Sequence, residues 1–111
     1  MKAEEILAHV DHTLQTATWA DIQRICDEAV KYHTATVMVP SAYVPRIVAK
    51  YGDALKVATV VGFPNGNCNT AAKIAETAQA LADGAQEIDM VINIGWLKDK
   101  RYELIEDEIK K

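Results

Sequence analysis

The chain has 111 residues, half of them apolar and a quarter charged, which is the composition of one globular domain. A net charge of −4 argues against the basic surface that binds nucleic acid or an anionic membrane. No apolar run approaches the roughly 20 residues of a membrane span, and the acidic N-terminus lacks the pattern of a signal peptide. We therefore expect a cytoplasmic protein with neither a nucleic-acid nor a membrane partner.

The cysteines and histidines predict neither a disulfide framework nor a metal site. Cys26 lies in a helical pattern and is expected to pack as a small apolar residue, whereas Cys68 lies in a loop. The three histidines, His9, His12 and His33, have no metal-ligand spacing with either cysteine. We expect no metal and no cofactor.

The first part of the chain predicts a short helix, a short strand and a longer helix. Residues 1–7 are the helical lead-in, and residues 9–14 have the character of a strand. Thr18 is a good N-cap, with Asp21 three residues later in a capping-box arrangement. The apolar residues that follow at helical spacing are Ile22, Ile25, Cys26, Ala29 and Val30.

The second unit is a β-branched strand over residues 34–39 followed by a short helix. We expect Ser41 to cap this helix and Gly52 to follow its last turn near Tyr51. A third strand covers residues 56–62 and leads into a turn-rich loop.

The third helix is expected to begin with Thr70 as its cap and to end at Gly84. Lysines in helical patterns, among them Lys73, are expected to be solvated. After the fourth strand the chain turns at residues 96–101 into a last helix over residues 102–111.

The most informative stretch is residues 87–95, which predicts a fourth strand by strict alternation. Ile88, Met90, Ile92 and Ile94 fall on one face, opposite Asp89, Val91 and Asn93. Because nearly all of these residues are apolar, both faces are expected to be covered, as in parallel α/β sheets. Asp89 is then either fixed by a neighbouring lysine or by backbone N–H groups, or it is a proton-transfer group on the inner face of a barrel.

The order of elements is βαβαβαβα over residues 1–111, with no linker or internal boundary. Such alternation predicts a parallel sheet with right-handed crossovers. One closure is an open doubly wound sheet, although neither glycine-rich phosphate motif occurs in the chain. The other is a TIM barrel, of which this chain supplies four of eight (βα) units, a half-barrel.

Four separated segments resemble the deoxyribose-phosphate aldolase family in order and spacing: residues 10–14, 43–45, 60–66 and 87–95. The resemblance implies a TIM barrel and reversible cleavage of 2-deoxyribose 5-phosphate to acetaldehyde and glyceraldehyde 3-phosphate. It implies a lysine Schiff base without metal or cofactor, a small phosphorylated sugar as the substrate, and a role in deoxyribonucleotide catabolism.

The resemblance also assigns roles to residues of this chain. Asp89 matches the family's fourth-strand aspartate, which works in proton relay, and Asp11 matches the first-strand aspartate that supports the lysine network. Thr13 shares a face with Asp11 and either contacts the substrate or only completes a hydrogen bond. His12 faces away from Asp11, so a packing or helix-contacting role is favoured over a catalytic one.

The family's Schiff-base lysine lies on the sixth strand, for which this chain has no counterpart. The resemblance therefore implies an N-terminal half that is inactive alone, with the Schiff-base lysine absent. The alternative is a non-catalytic half-barrel module that self-associates into a closed barrel. In both cases we expect an exposed apolar inner face and unpaired strand edges, and hence a homo-oligomer or pairing with a missing C-terminal half.

Overall fold

Strands and helices alternate along the chain in a computed structural model that describes residues 1–111. The strands are β1 (Asp11–Thr13), β2 (Thr36–Val39), β3 (Val57–Val61) and β4 (Glu87–Met90). The helices are α1 (Ala3–Leu7), α2 (Trp19–Tyr32), α3 (Val44–Tyr51), α4 (Thr70–Ala82), α5 (Ile94–Lys98) and α6 (Tyr102–Lys110). None of these helices has the length and apolar character needed to span a membrane.

The four strands form one parallel sheet in the order β1-β2-β3-β4, so each strand pairs with the next in sequence. A doubly wound sheet instead reverses its strand order at a switch point. The predicted half-barrel is therefore confirmed over the doubly wound alternative. The fold is four consecutive (βα) units of a TIM barrel, a half-barrel.

The hydrophobic core lies between the outer face of the sheet and the helices that cross over it. The core residues are Ile22, Ile25, Cys26, Ala29, Val37, Val39, Val44, Ile47, Val57, Ala80 and Ala85. The apolar stripe predicted for α2 is confirmed in all but Val30, which is exposed. Cys26 packs in the core, and Cys68 lies in the loop after β3, as predicted; the thiol of Cys26 is buried and that of Cys68 is exposed.

Two of the three predicted helix N-caps were wrong. The capping box of Thr18 and Asp21 is present at the start of α2. Ser41 instead begins a 3-10 turn, Ser41–Tyr43, and caps no helix. At α4 the cap is Asn69, which accepts a hydrogen bond from the Ala72 N–H, because the Thr70 hydroxyl is engaged elsewhere.

The fourth strand is shorter than its apolar pattern predicts. It ends at Met90 instead of Gly95, and Ile94 and Gly95 belong to α5. Asn93 is the reason, because its side chain accepts a hydrogen bond from the Trp96 N–H and so caps that helix. Asn93, which fits the alternating pattern of a strand, is therefore the N-cap of α5.

Two expectations about the inner side of the sheet were also wrong. One was that both faces of β4 are covered, and the other was that the half-barrel exposes a large apolar inner face. Glu87 and Asp89 are exposed on the inner side, where no second layer of the molecule packs against the strand. The inner-facing Met38 and Ala58 are buried, and no large exposed apolar side chain lies on a strand. Exposed apolar residues instead occur mainly on the helices, notably Leu81 of α4, and also at Met1 and at Phe63 in the loop after β3.

Candidate functional site

The inner face of the sheet is defined by the register of the four strands. Partners in a parallel register point to the same side of the sheet. Since Val37, Val39 and Val57 belong to the core under the helices, the alternate residues point inward. The inner-facing residues are Asp11, Thr13, Thr36, Met38, Ala58, Val60, Glu87 and Asp89.

Asp89 lies on this face, near the carboxyl end of β4 and in register with Val60. Its side chain is exposed, and none of the chain's ion pairs includes it. One interpretation of the sequence was that a neighbouring lysine fixes Asp89, and these residues provide no such lysine. The carboxylate is open to whatever occupies the hollow of the sheet.

Asp11 occupies the opposite edge of the sheet, with two strands between it and Asp89, so the two aspartates do not contact each other. Its Oδ1 accepts a hydrogen bond of 2.7 Å from the buried hydroxyl of Thr36. The Thr13 hydroxyl donates to the backbone oxygen of Asp11 at 2.9 Å. Both side chains are thus tied to the first two strands in this chain.

No lysine lies within the four strands. The prediction that Lys73 is solvated was wrong. Its side chain is only 2% exposed, and Nζ lies 2.5 Å from Oε1 of Glu108. The other oxygen of Glu108 accepts from the Thr70 hydroxyl at 2.7 Å. Because this ion pair joins α4 to α6 in the outer layer, Lys73 is a structural residue in this chain.

His12 points to the helix side of β1, as its alternation with Asp11 predicts. Its Nε2 lies 3.0 Å from Oε2 of Glu28 on α2, and Arg24 donates to the other oxygen of Glu28 at 2.8 Å. The predicted helix-contacting role is therefore what the structure shows.

We expect Glu28→Gln to remove a pH-dependent part of the stability. The hydrogen bond from His12, and then that from Arg24, holds the pKa of Glu28 below its ordinary value of 4.5. Because the folded-state pKa is lowered, this contribution is complete above about pH 4.5 and is lost as the pH falls through the folded value. Urea denaturation across this range, with Glu87→Gln as the control, should show wild type and variant converging in acid. A difference that is the same at every pH would contradict the prediction.

Two glycines hold the loop after β3 against the segment after β4. Gly62 has a φ of +72°, and its N–H donates to Oε1 of Glu76 at 2.8 Å. A Cβ at Gly66 would lie 2.1 Å from the Ile92 carbonyl oxygen, so only glycine fits there. These contacts lie at the carboxyl ends of the strands, the end at which TIM barrels carry their active sites.

The sequence did not indicate the roles of Lys73, Glu76 and Glu108. Their partners are 14 to 38 positions away along the chain, outside the range of helical or strand periodicity. No group of three or more His, Cys, Asp or Glu side chains is placed to hold a metal ion.

Comparison with known proteins gives sequence relatives over almost the whole chain. Residues 6–111 match the model of the DeoC/LacD family aldolases. The chain is 56% identical to a deoxyribose-phosphate aldolase of Clostridium botulinum, over 99% of this chain and 51% of that protein. It is 44% identical to a deoxyribose-phosphate aldolase of Streptococcus pyogenes, over all of this chain and 51% of that protein. The chain thus spans about half the length of these relatives.

Solved structures agree with the sequence relatives. A proposed deoxyribose-phosphate aldolase from Coccidioides immitis superimposes with a TM-score of 0.91 at 38% identity, covering 98% of this chain and 44% of that one. The tetrameric deoxyribose phosphate aldolase from Aeropyrum pernix superimposes with a TM-score of 0.79 at 27% identity, covering 83% and 41%. On the family match and the fold together, this chain belongs to the DeoC/LacD family of aldolases.

Proposed function

We propose that this chain provides the Asp89-bearing half of a class I aldolase site that cleaves 2-deoxyribose 5-phosphate reversibly to acetaldehyde and glyceraldehyde 3-phosphate. The observation that carries the proposal is the exposed, unpaired carboxylate of Asp89 on the inner face of the half-barrel. Family membership supports the reaction class, and the names of the relatives support the substrate. The free thiols of Cys26 and Cys68 fit a reducing compartment, the cytoplasm.

The chemistry assigned to Asp89 is proton relay. In a class I aldolase a lysine amine condenses with the C1 aldehyde of the open-chain sugar and releases water. The C2–C3 bond then breaks, its electrons pass toward the protonated imine, and the C3 hydroxyl loses its proton as it becomes the aldehyde of glyceraldehyde 3-phosphate. After C2 is protonated, water hydrolyses the imine and releases acetaldehyde. The carbon that gains those electrons must be protonated, and a carboxylate within reach of an ordered water can supply and recover that proton. An Asp89 held by a salt bridge would be less available for this transfer.

Asp11 and Thr13 have supporting roles in this proposal. Asp11 is oriented by the Thr36 hydroxyl, which leaves its second oxygen, Oδ2, free to accept from a cationic group in the hollow. Thr13 is exposed two residues further toward the carboxyl end of the same strand. We assign it to substrate contact, with the hydroxyl released from the Asp11 carbonyl when substrate is present.

The proposed site needs strands that carry cations. The inward-facing residues within the four strands include the carboxylates of Asp11, Glu87 and Asp89 and no lysine, arginine or histidine. A second copy closing the barrel would add the same three carboxylates, whose like charges disfavour association. Strands with inward-facing lysines would offset this charge and supply the imine-forming amine. The 111 residues alone are then inactive.

A second candidate is a non-catalytic module that self-associates. It is favoured by the sheet itself, in which β1 and β4 each have one unpaired edge. Two copies could pair these edges around a two-fold axis to give an eight-stranded barrel.

Borohydride trapping with acetaldehyde separates the two candidates. We would compare the chain alone with a chimera in which it replaces the matched 51% of the Clostridium botulinum aldolase. We expect mass spectrometry to find a reduced adduct at one lysine of the chimera, outside these 111 residues, and none on the chain alone. A chimera that folds but forms no adduct would reject the aldolase proposal. A compact dimer of the chain in sedimentation would favour the self-associating module.

A further inference from the structure

Glu76, on the outer-layer helix α4, holds two of the connections at the carboxyl ends of the strands. Its Oε1 accepts from the Gly62 N–H at 2.8 Å, directly after β3. Its Oε2 accepts from the Ser41 hydroxyl at 3.3 Å, two residues after the end of β2. One carboxylate thus bridges the ends of two neighbouring (βα) units.

The shape of the turn at Gly62 makes this bridge specific. Gly62 has a φ of +72°, and a Cβ there would lie 3.0 Å from Cε of Lys73. Lys73 and Glu76 are three positions apart on α4, so they project from one side of the helix. The hydrocarbon part of the Lys73 side chain covers the Gly62 Cα, while the Glu76 carboxylate accepts a hydrogen bond from the Gly62 N–H.

From Gly62 the restraint extends toward the strand that carries Asp89. The Gly62 carbonyl accepts from the Gly66 N–H at 2.7 Å, which closes the turn. Gly66 in turn lies against the carbonyls of Val91 and Ile92, two and three residues beyond Asp89. A shift of Gly62 would therefore move the loop that forms the rim of the site next to Asp89.

We propose that Glu76 is a positioning residue for the substrate site, acting through the Gly62 N–H to fix the loop of residues 62–69 over the carboxyl ends of β3 and β4. This role rests on the proposed function, because the loop borders a substrate only if the hollow is an aldolase site. Glu76 lies on the helix side of the sheet and does not reach the hollow, so its effect is on binding geometry.

Amide hydrogen exchange on the 111-residue chain tests the first step. In Glu76→Ala, exchange at Gly62 should become about tenfold to a hundredfold faster, the loss expected for a hydrogen bond to a charged acceptor. The amide signals of Gly66 and Ile92 should shift with it. Glu76→Gln keeps an acceptor oxygen and should retain most of the protection, whereas Gln79→Ala, an exposed change on the same helix, should alter neither. Unchanged exchange at Gly62 in Glu76→Ala would overturn the proposal.

Kinetics of the chimera described above test the second step. Glu76→Ala should raise the KM for 2-deoxyribose 5-phosphate by about tenfold with kcat within about twofold, since binding geometry is affected more than chemistry. Glu76→Gln should restore KM. A variant with normal KM, or one that loses only kcat, would overturn the positioning role. If Asp89→Asn left the chimera fully active, the proposed function would fail while the hydrogen-exchange result could still stand.

Discussion

Replacing Glu108 by alanine is expected to lower the free energy of unfolding by about 3–5 kcal/mol, the cost of leaving one member of a buried ion pair without its partner. Lys73 and Glu108 are both almost completely buried, and no other acidic group lies within ion-pair distance of the Lys73 ammonium. The variant also removes the acceptor of the Thr70 hydroxyl. Urea denaturation followed by circular dichroism measures the change.

The same helix provides a matched control. Glu106 pairs with Lys110 at 2.7 Å, but both side chains are about two-thirds exposed. Glu106→Ala should therefore change the free energy of unfolding by less than about 0.5 kcal/mol.

A double variant tests the cause of the loss. Lys73→Met combined with Glu108→Leu removes both charges at similar volume and should recover most of the stability, because no uncompensated charge remains buried. If the single and double variants were equally unstable, packing around α6 and not the ion pair would be the source of the effect. Equal losses for Glu108→Ala and Glu106→Ala would instead mean that the helix as a whole is weakly attached.

Much of the fold follows from local pattern, which is why it could be predicted. The β-branched run before Pro40 has the pattern of a strand, and the apolar stripe from Ile22 to Ala29 has the 3.6-residue period of a helix. The alternation of strands and helices along the chain then leaves few possible topologies. The inner-face position of Asp89 also followed, since alternation with the core-facing Ile88 places it on the other side of β4.

The errors have a common physical origin. Lys73 and Glu108 lie on different helices 35 positions apart, and neither local pattern signals that a partner will be present. Asn93 satisfied the alternation of a strand and also met the requirement of a helix cap, and the second role prevailed because Trp96 offers an unsatisfied N–H. Burial of β4 was overestimated because a covered inner face needs neighbouring strands that these residues do not include.

Asp89→Asn in the chimera is expected to lower kcat/KM by about a hundredfold to ten-thousandfold, the range for loss of a general acid–base group. Asparagine keeps the size of the side chain but cannot take up or release the proton. Because residue 89 is exposed, the free energy of unfolding of the 111-residue chain should change by less than about 0.5 kcal/mol. A loss of activity would then not come from unfolding. Activity is measured as release of acetaldehyde from 2-deoxyribose 5-phosphate.

Glu87→Gln is the control that separates the effect of losing proton transfer from the effect of losing one negative charge. Glu87 is an exposed carboxylate on the same strand and the same inner face, two residues further from the carboxyl end at which barrel sites lie. Its replacement removes the same unit of negative charge and should leave kcat/KM within about threefold, as expected for a group outside reach of the reacting atoms. If both variants lost activity equally, the inner face would act only through its overall negative potential. Retention of full activity in Asp89→Asn would remove Asp89 from the reaction, because no other inner-facing carboxylate of this chain lies as near the carboxyl end of its strand.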